Sequence, residues 1–261
     1  MLILLPPSEG KAPTHEGKTF ALHDLSMPSL NPTRLKVRSA LIKLCSGRES
    51  RARDVLGLSE RQRDELELNR ELEDARAMLA SRVYTGVLYE ALDYASLSAA
   101  ARRRADEWVL VSSALWGAVR LDDRIPAYRL SGNVALPRLG SVTTVWRKPL
   151  QAALPVAAGD GVIFDLRSGT YAKMWTPDPD LAHQAVVGRV LHEQPDGSRV
   201  VVSHHNKATK GRLVRALATD RATPQSTDDL ATAIERVGYV VELHKGRPGS
   251  PCSLDIVVDD V

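Results

Sequence analysis

Four short apolar runs in this 261-residue chain give way to small or hydroxylic residues and then to a cation or a tyrosine. Leu2–Leu5 leads to Ser8 and Lys11, and Val109–Val111 leads to Ser113 and Arg120. Val162–Leu166 leads to Ser168, Tyr171 and Lys173, and the run before Ser203 leads to Lys207. A buried strand that ends in such residues is how an open α/β sheet delivers N–H groups and side chains to its rim. If the four strands lie side by side, their ends converge on one hollow rich in Lys, Arg and hydroxyls. That chemistry suits an anion: a phosphate, a nucleotide or a nucleic-acid backbone.

Two further segments feed the same hollow. In Pro126-Ala127-Tyr128-Arg129, Pro126 fixes its own φ and pushes Ile125 towards an extended conformation, which gives Tyr128 and Arg129 a defined place. The plainer alternative makes Tyr128 a half-buried core aromatic and Arg129 a surface charge. On a helix expected over 207–218, Lys207, Lys210, Gly211 and Arg215 share one face. Gly211 in mid-helix costs roughly 1 kcal/mol against Ala, which a close approach by a ligand or by another helix would explain. The expected anion-binding set is therefore Ser8, Lys11, Ser113, Arg120, Tyr128, Arg129, Ser168, Lys173, Lys207, Lys210 and Arg215. Were the hollow an enzyme site for a nucleotide or a phosphorylated small molecule, Lys11, Tyr128, Arg129 and Lys173 would orient the anion. Tyr171, Lys173 and Tyr128 are the candidates for proton transfer.

Other chemistries fit less well. The loop Pro6–Lys11 has one Gly, and Ala follows Lys11, so it lacks P-loop spacing. His204 and His205 are adjacent and point apart on an extended segment, so no metal site is read. No G-x-S-x-G elbow is present, and no cofactor is implied. Cys45 and Cys252 are too few for a disulfide framework. A 43% apolar and 26% charged composition is that of a globular protein, and a net charge of +3 does not by itself call for nucleic acid. With no signal-like leader, no apolar run of spanning length and only two cysteines, the cytoplasm is the expected compartment.

The elements that must position these residues alternate between strand and helix. Helices are expected from Asn31, read as a cap before Pro32, to Gly47, and from the Ser59/Gln62 capping box to about Arg82. Two more run over Val87–Tyr94 and Leu97–Glu107. This last pair, with Arg102, Arg103 and Arg104 on its second member, could form a helix-hairpin-helix grip on a DNA backbone, although its link contains no Gly. A strand is expected over Glu107–Val111, an exposed turn over Leu136–Ser141, a helix over Lys148–Ala153 and a strand over Gly161–Leu166. Ala185–Leu191 and Arg199–Ser203 read as a hairpin about Asp196-Gly197. After the helix over 207–218, a last helix capped at Ser226 stops at Gly238. Tyr239–His244 and Ser253–Val258 then close the chain as an antiparallel pair. The class is mixed α/β (α+β): one compact domain with a partly parallel sheet and a helical insertion about 30–108.

These motifs, in this order, resemble the YaaA family of bacterial peroxide-stress proteins, in the version that opens Pro6-Pro7-Ser8-Glu9-Gly10-Lys11. The match continues through Tyr84-Thr85-Gly86, Ser113-x-Leu115-Trp116-Gly117 and Pro126-x-Tyr128-Arg129. It extends through Asp165-Leu166-x-Ser168-x-x-Tyr171-x-Lys173 and Ser203-x-x-x-Lys207-x-x-Lys210-Gly211-x-x-x-Arg215. The resemblance implies a role in hydrogen peroxide stress, limiting the free iron that drives DNA damage. It also implies a mixed α/β fold with a positively charged cleft, a helix-hairpin-helix element and DNA as partner.

Overall fold

The structure is a computed structural model that describes residues 1–194, 196–200 and 203–258, with the side chains of residues 203–205 outside that description. The strand β1 (Leu2–Leu5) is aliphatic throughout and buried on both faces, which only a central place in a covered sheet allows. After it come α1 (Asn31–Cys45), α2 (Glu49–Leu56), α3 (Val87–Leu92) and α4 (Ala99–Trp108). Next are the hairpin strands β2 (Val109–Ser113) and β3 (Gly117–Arg120), the helix α5 (Val142–Ala158) and β4 (Ile163–Asp165). The chain ends through β5 (Ala185–Glu193), β6 (Arg199–Val200), α6 (Ser203–Thr219), α7 (Thr227–Arg236), β7 (Val240–His244) and β8 (Cys252–Val258).

The sheet runs β7-β8-β5-β4-β1-β2-β3, with β6 paired to β5. Strands β8, β5, β4, β1 and β2 are mutually parallel, and the outer strands β7 and β3 are antiparallel to their neighbours. The fold is thus mixed α/β with a mostly parallel central sheet. From β1 the chain goes first to β2 on one side and later to β4 on the other. The strand order reverses at β1, and in open α/β sheets the crevice outside the carboxyl ends at such a point holds ligands.

Several expectations are corrected. Glu107 and Trp108 finish α4, so the strand starts at Val109. Ala101, Ala105 and Trp108 form the helix's buried stripe and hold those residues in it. The charged run from Ser59 to Arg82 is not one helix but a 3-10 turn (Glu60–Gln62), a helix (Glu65–Arg70), a strand (Arg76–Leu79) and a turn of helix (Ala80–Val83). The strand pairs Ala77 with Lys18 and Met78 with Ile125, and these partners distant in sequence override local helix propensity. Asn31 is not the cap: it lies within the first turn and its Oδ1 accepts from Arg34 Nη1 at 2.9 Å. The turn expected over Leu136–Ser141 is present, Arg138 and Gly140 being exposed; the structure adds that Ala135–Leu136 and Gly140–Ser141 pair beneath it and that Leu136 is buried. Helix α5 extends well past Lys148–Ala153 and contains Pro149 and Pro155, because its stripe of Val142, Trp146, Leu150 and Leu154 is buried. Ser203 opens α6 rather than closing a strand.

The helix at Ser226 is capped as expected, Asp229 N–H donating to Ser226 Oγ at 3.1 Å. The closing strands pair antiparallel. Among the described residues, no helix is long and apolar enough to cross a membrane.

Candidate functional site

The loop after β1 is tied down by its own side chains. Ser8 Oγ donates to Gly10 O at 2.6 Å and accepts from Thr85 N–H at 3.0 Å. Lys11 pairs through its backbone with Tyr84, and Ala12 N–H donates to Val83 O. The Lys11 side chain then turns inward. Its Nζ donates to Ser8 O at 3.0 Å and Glu9 O at 3.2 Å, and stands 4.3 Å from the Tyr128 ring centroid and 5.7 Å from that of Tyr84. Burial pushes the Lys11 ammonium down to about 8, against a smaller upward pull from Glu9.

Behind Lys11 lies a chain of hydroxyls. Tyr128 Oη is 3.1 Å from Tyr84 Oη and 2.8 Å from Ser113 Oγ, which also accepts from Trp116 N–H at 2.9 Å. Tyr84, Ser113 and Tyr128 are buried, and burial raises both tyrosines well above their ordinary values, so they stay neutral donors and acceptors. Tyr128 is thus a fully packed, fully bonded residue behind the site.

In front of Lys11, Arg129 Nη1 lies 3.0 Å from Glu9 Oε2 and donates to Glu9 O at 3.1 Å. The Arg129 side chain is 17% exposed, and its backbone is gripped on both sides by buried Asn69: Arg129 N–H donates to Oδ1 at 2.9 Å and Arg129 O accepts from Nδ2 at 2.8 Å. Ser131 Oγ donates to the other Glu9 oxygen at 3.4 Å. Tyr171 Oη accepts from Gly132 N–H at 3.3 Å; burial, with the Glu9 carboxylate nearby, lifts it to about 12.

The third wall is the end of β4. Arg167 pairs with Asp165 through two hydrogen bonds, of 2.9 and 2.6 Å, and also donates to Tyr171 O and Trp175 O. From α6, Lys210 Nζ reaches Leu166 O at 2.8 Å, and burial lowers its ammonium, with Asp165 pulling the other way.

Ser8, Lys11, Ser113, Tyr128, Arg129, Tyr171 and Lys210 therefore gather around the ends of β1, β2 and β4. Ser168 and Lys173 leave the end of β4 with exposed side chains, and Lys207 is exposed one turn before Lys210. Arg120 does not join them. It pairs with Leu110 in the ladder and donates to Asp106 O and Glu107 O at the amino end of β2, because an antiparallel hairpin carries its second strand back away from the rim. Arg215 donates to Leu92 O at 3.1 Å and Asp93 O at 2.8 Å, closing the end of α3. Gly211 is explained by the same contact: a Cβ there would stand 2.1 Å from Leu88 O. In the helix pair, Arg102 Nη2 donates to Ala95 O and Arg104 Nε to Ala218 O, leaving Arg103 exposed. The side chains of Ser203, His204 and His205 lie outside the described residues.

Sequence reasoning passed over Glu9, Asn69, Asp165 and Arg167. Glu9 and Asp165 sit inside the quoted motifs beside Lys11 and Ser168, which was the available signal. Asn69 carries none, since it lies in a charged segment that reads as solvated helix. Chemically the group combines an amine lowered to about 8, an arginine paired with the exposed Glu9 carboxylate, and neutral, buried tyrosyl hydroxyls. This set can receive a phosphoryl or carboxylate group and exchange a proton with it.

A family model described as "Peroxide stress protein YaaA" matches residues 1–244. The chain is 50% identical over 262 residues to a UPF0246 protein of Streptomyces coelicolor, covering all of both chains. It is 40% identical over 246 residues to one of Corynebacterium glutamicum, covering 93% of this chain and 95% of the relative. It is 32% identical over 177 residues to one of Bordetella avium, covering 66% of each.

Proposed function

The chain belongs to the YaaA family of peroxide stress proteins, and from that premise we propose that it limits iron-driven DNA damage by engaging DNA through its phosphates. The observation that carries the reading is the gathering of Lys11, Arg129 and Lys210 at the carboxyl ends of β1 and β4. Of the cations of this site and the helix pair, Lys173, Lys207 and Arg103 are exposed and available to meet a backbone, while Lys210 and Arg215 donate to carbonyls. Iron control is indirect in this reading, and the cytoplasm is its compartment, in keeping with two buried free thiols, Cys45 and Cys252.

The test is duplex affinity across a salt series, for the wild type and for Lys173→Ala/Lys207→Ala/Arg103→Ala. Each phosphate contact contributes about −0.9 to the slope of log K against log salt, so the variant should bind more weakly and with a shallower slope. Duplex binding that is absent, or that ignores salt, rejects the reading.

A second reading has its own support in Lys11, whose amine is lowered to about 8 beside the rings of Tyr128 and Tyr84. A small phosphorylated substrate would displace Glu9 from Arg129, and Lys11 or Tyr171 would move the proton. A thermal-shift screen of nucleotides and sugar phosphates decides it, since a ligand at 100 times its Kd adds about 2.7 kcal/mol. A screen without a shift rejects it.

A further inference from the structure

A cleft of about 1210 Å³, lined by none of the site residues above, lies between α1, α2 and the small hairpin over 135–141. Lys36, Lys43, Arg48, Arg51 and Arg138 line it, with Asp54 as its sole carboxylate. The lining therefore carries net +4, against +3 for the whole chain, so the remainder of the protein is close to neutral. All five cations are exposed. Neighbouring arginines that could have shared their role are spent elsewhere: Arg53 pairs with Glu49 and Glu60, Arg63 with Glu49, and Arg38 with Glu73. Among the described residues no ion pair neutralises the five.

Sequence spacing builds this wall. Lys36 and Lys43 stand two turns apart on one face of α1, roughly 10.5 Å along its axis, while Val37, Leu41 and Leu44 bury the opposite face. Arg48 and Arg51 bracket the start of α2, whose first N–H groups receive no side-chain cap and whose dipole adds positive potential there.

The hairpin supplies an independent observation. Leu139 N–H donates to Leu136 O at 3.1 Å, closing a four-residue turn with Pro137 second and Arg138 third. Arg138 has φ +66°. That is the third position of a type II turn, where the left-handed backbone favours Gly or Asn and a long side chain is strained. The chain keeps an arginine where glycine is conformationally cheaper, and it does so at the mouth of a cleft that already holds four unpaired cations.

We propose that this cleft is a second contact for a phosphodiester backbone, sharing no lining residue with the sheet rim, with Arg138 held out to it by the strained turn. A row of unneutralised cations at helical spacing, with both Lys and Arg and one carboxylate, fits a chain of regularly spaced phosphates better than a single small anion. The identity of the partner rests on the DNA reading above; the location does not.

The experiment is fluorescence anisotropy of a labelled duplex against the wild type, against Lys36→Ala/Lys43→Ala/Arg48→Ala/Arg51→Ala, against Arg138→Gly, and against the variant Lys173→Ala/Lys207→Ala/Arg103→Ala, each over a salt series. The fourfold variant should lose at least tenfold in affinity at low salt, with its slope shallower by about 2 to 4 contacts' worth. Arg138→Gly should weaken binding several-fold while melting no lower than the wild type, a combination that damage to the fold would not produce. A wild type that binds duplex while the cleft variants keep its affinity and slope overturns the cleft and leaves the DNA reading standing. A wild type that binds no duplex overturns both.

Discussion

The Lys11 ammonium sits 4.3 Å from the centre of the Tyr128 ring while its hydrogen bonds go to the carbonyls of Ser8 and Glu9. Burial opposes the charged form more strongly than the Glu9 carboxylate supports it, which leaves the amine at about 8; the ring face and the two carbonyls hold the ammonium in place.

Stability should follow that balance. The folded chain releases the Lys11 proton near pH 8 and the unfolded chain near 10.5, so between those values the unfolded state holds more protons and stability rises with pH. Below pH 8 the burial penalty on the charged form is felt in full. Urea unfolding of the wild type and of Lys11→Met at pH 7.5, 8.5 and 9.5 should show the wild type gaining on the variant as pH rises. A constant difference would show that Lys11 does not titrate in this window.

Tyr128→Phe removes one oxygen that links Tyr84 to Ser113 and leaves the Tyr84 hydroxyl buried with one partner fewer. The expected cost is about 1–3 kcal/mol. Equilibrium unfolding measures it; a loss below a few tenths would mean that the hydroxyl chain contributes little to holding the rim.

Gly211→Ala would normally strengthen a helix. Here the new methyl meets Leu88 O at 2.1 Å and Ala91 Cβ at 2.9 Å, so α6 must move off α3. Overpacking of this kind costs about 1–3 kcal/mol and should outweigh the propensity gain of roughly 1 kcal/mol. A variant as stable as the wild type in chemical denaturation would refute the close contact.

Arg215→Ala should act locally. Its guanidinium bonds the last carbonyls of α3, at Leu92 and Asp93, and is about one-third exposed, so the global loss is modest, about 1 kcal/mol. Hydrogen exchange should quicken at residues 87–93 more than in the central sheet. Unchanged protection there would mean that Arg215 does not close the helix.

Legibility differed by element. The strands β1, β4 and β8 could be read directly, because an aliphatic run bounded by turn residues has few other uses. The cap at Ser226 and the Ser59/Gln62 capping box were legible too, since their bonds span three residues. The segment 59–82 was not, because its strand exists only through Lys18 and Ile125, which lie far away in sequence. Arg120 was misplaced because the hairpin register that sends it to the far end of β2 is a pairing fact. Of the cationic face on α6, the sequence shows the spacing; that Gly211 and Arg215 turn towards α3 appears only when the two helices meet.

The sequence by itself determined where the apolar strands end, which hydroxylic and cationic residues follow them, and that the chain resembles the peroxide stress family. The strand ends follow from local hydrophobic periodicity, which acts over a few residues, whereas the resemblance rests on separated motifs in the same order. Tertiary structure alone decided that Glu9 occupies Arg129, that Asn69 clamps its backbone, and that half-buried Lys11 stands against the Tyr128 ring. It alone brought Lys36, Lys43, Arg48, Arg51 and Arg138 to one cleft. Charge pairing, desolvation and packing depend on distances between segments remote in sequence, and those distances are set when the sheet orders its strands.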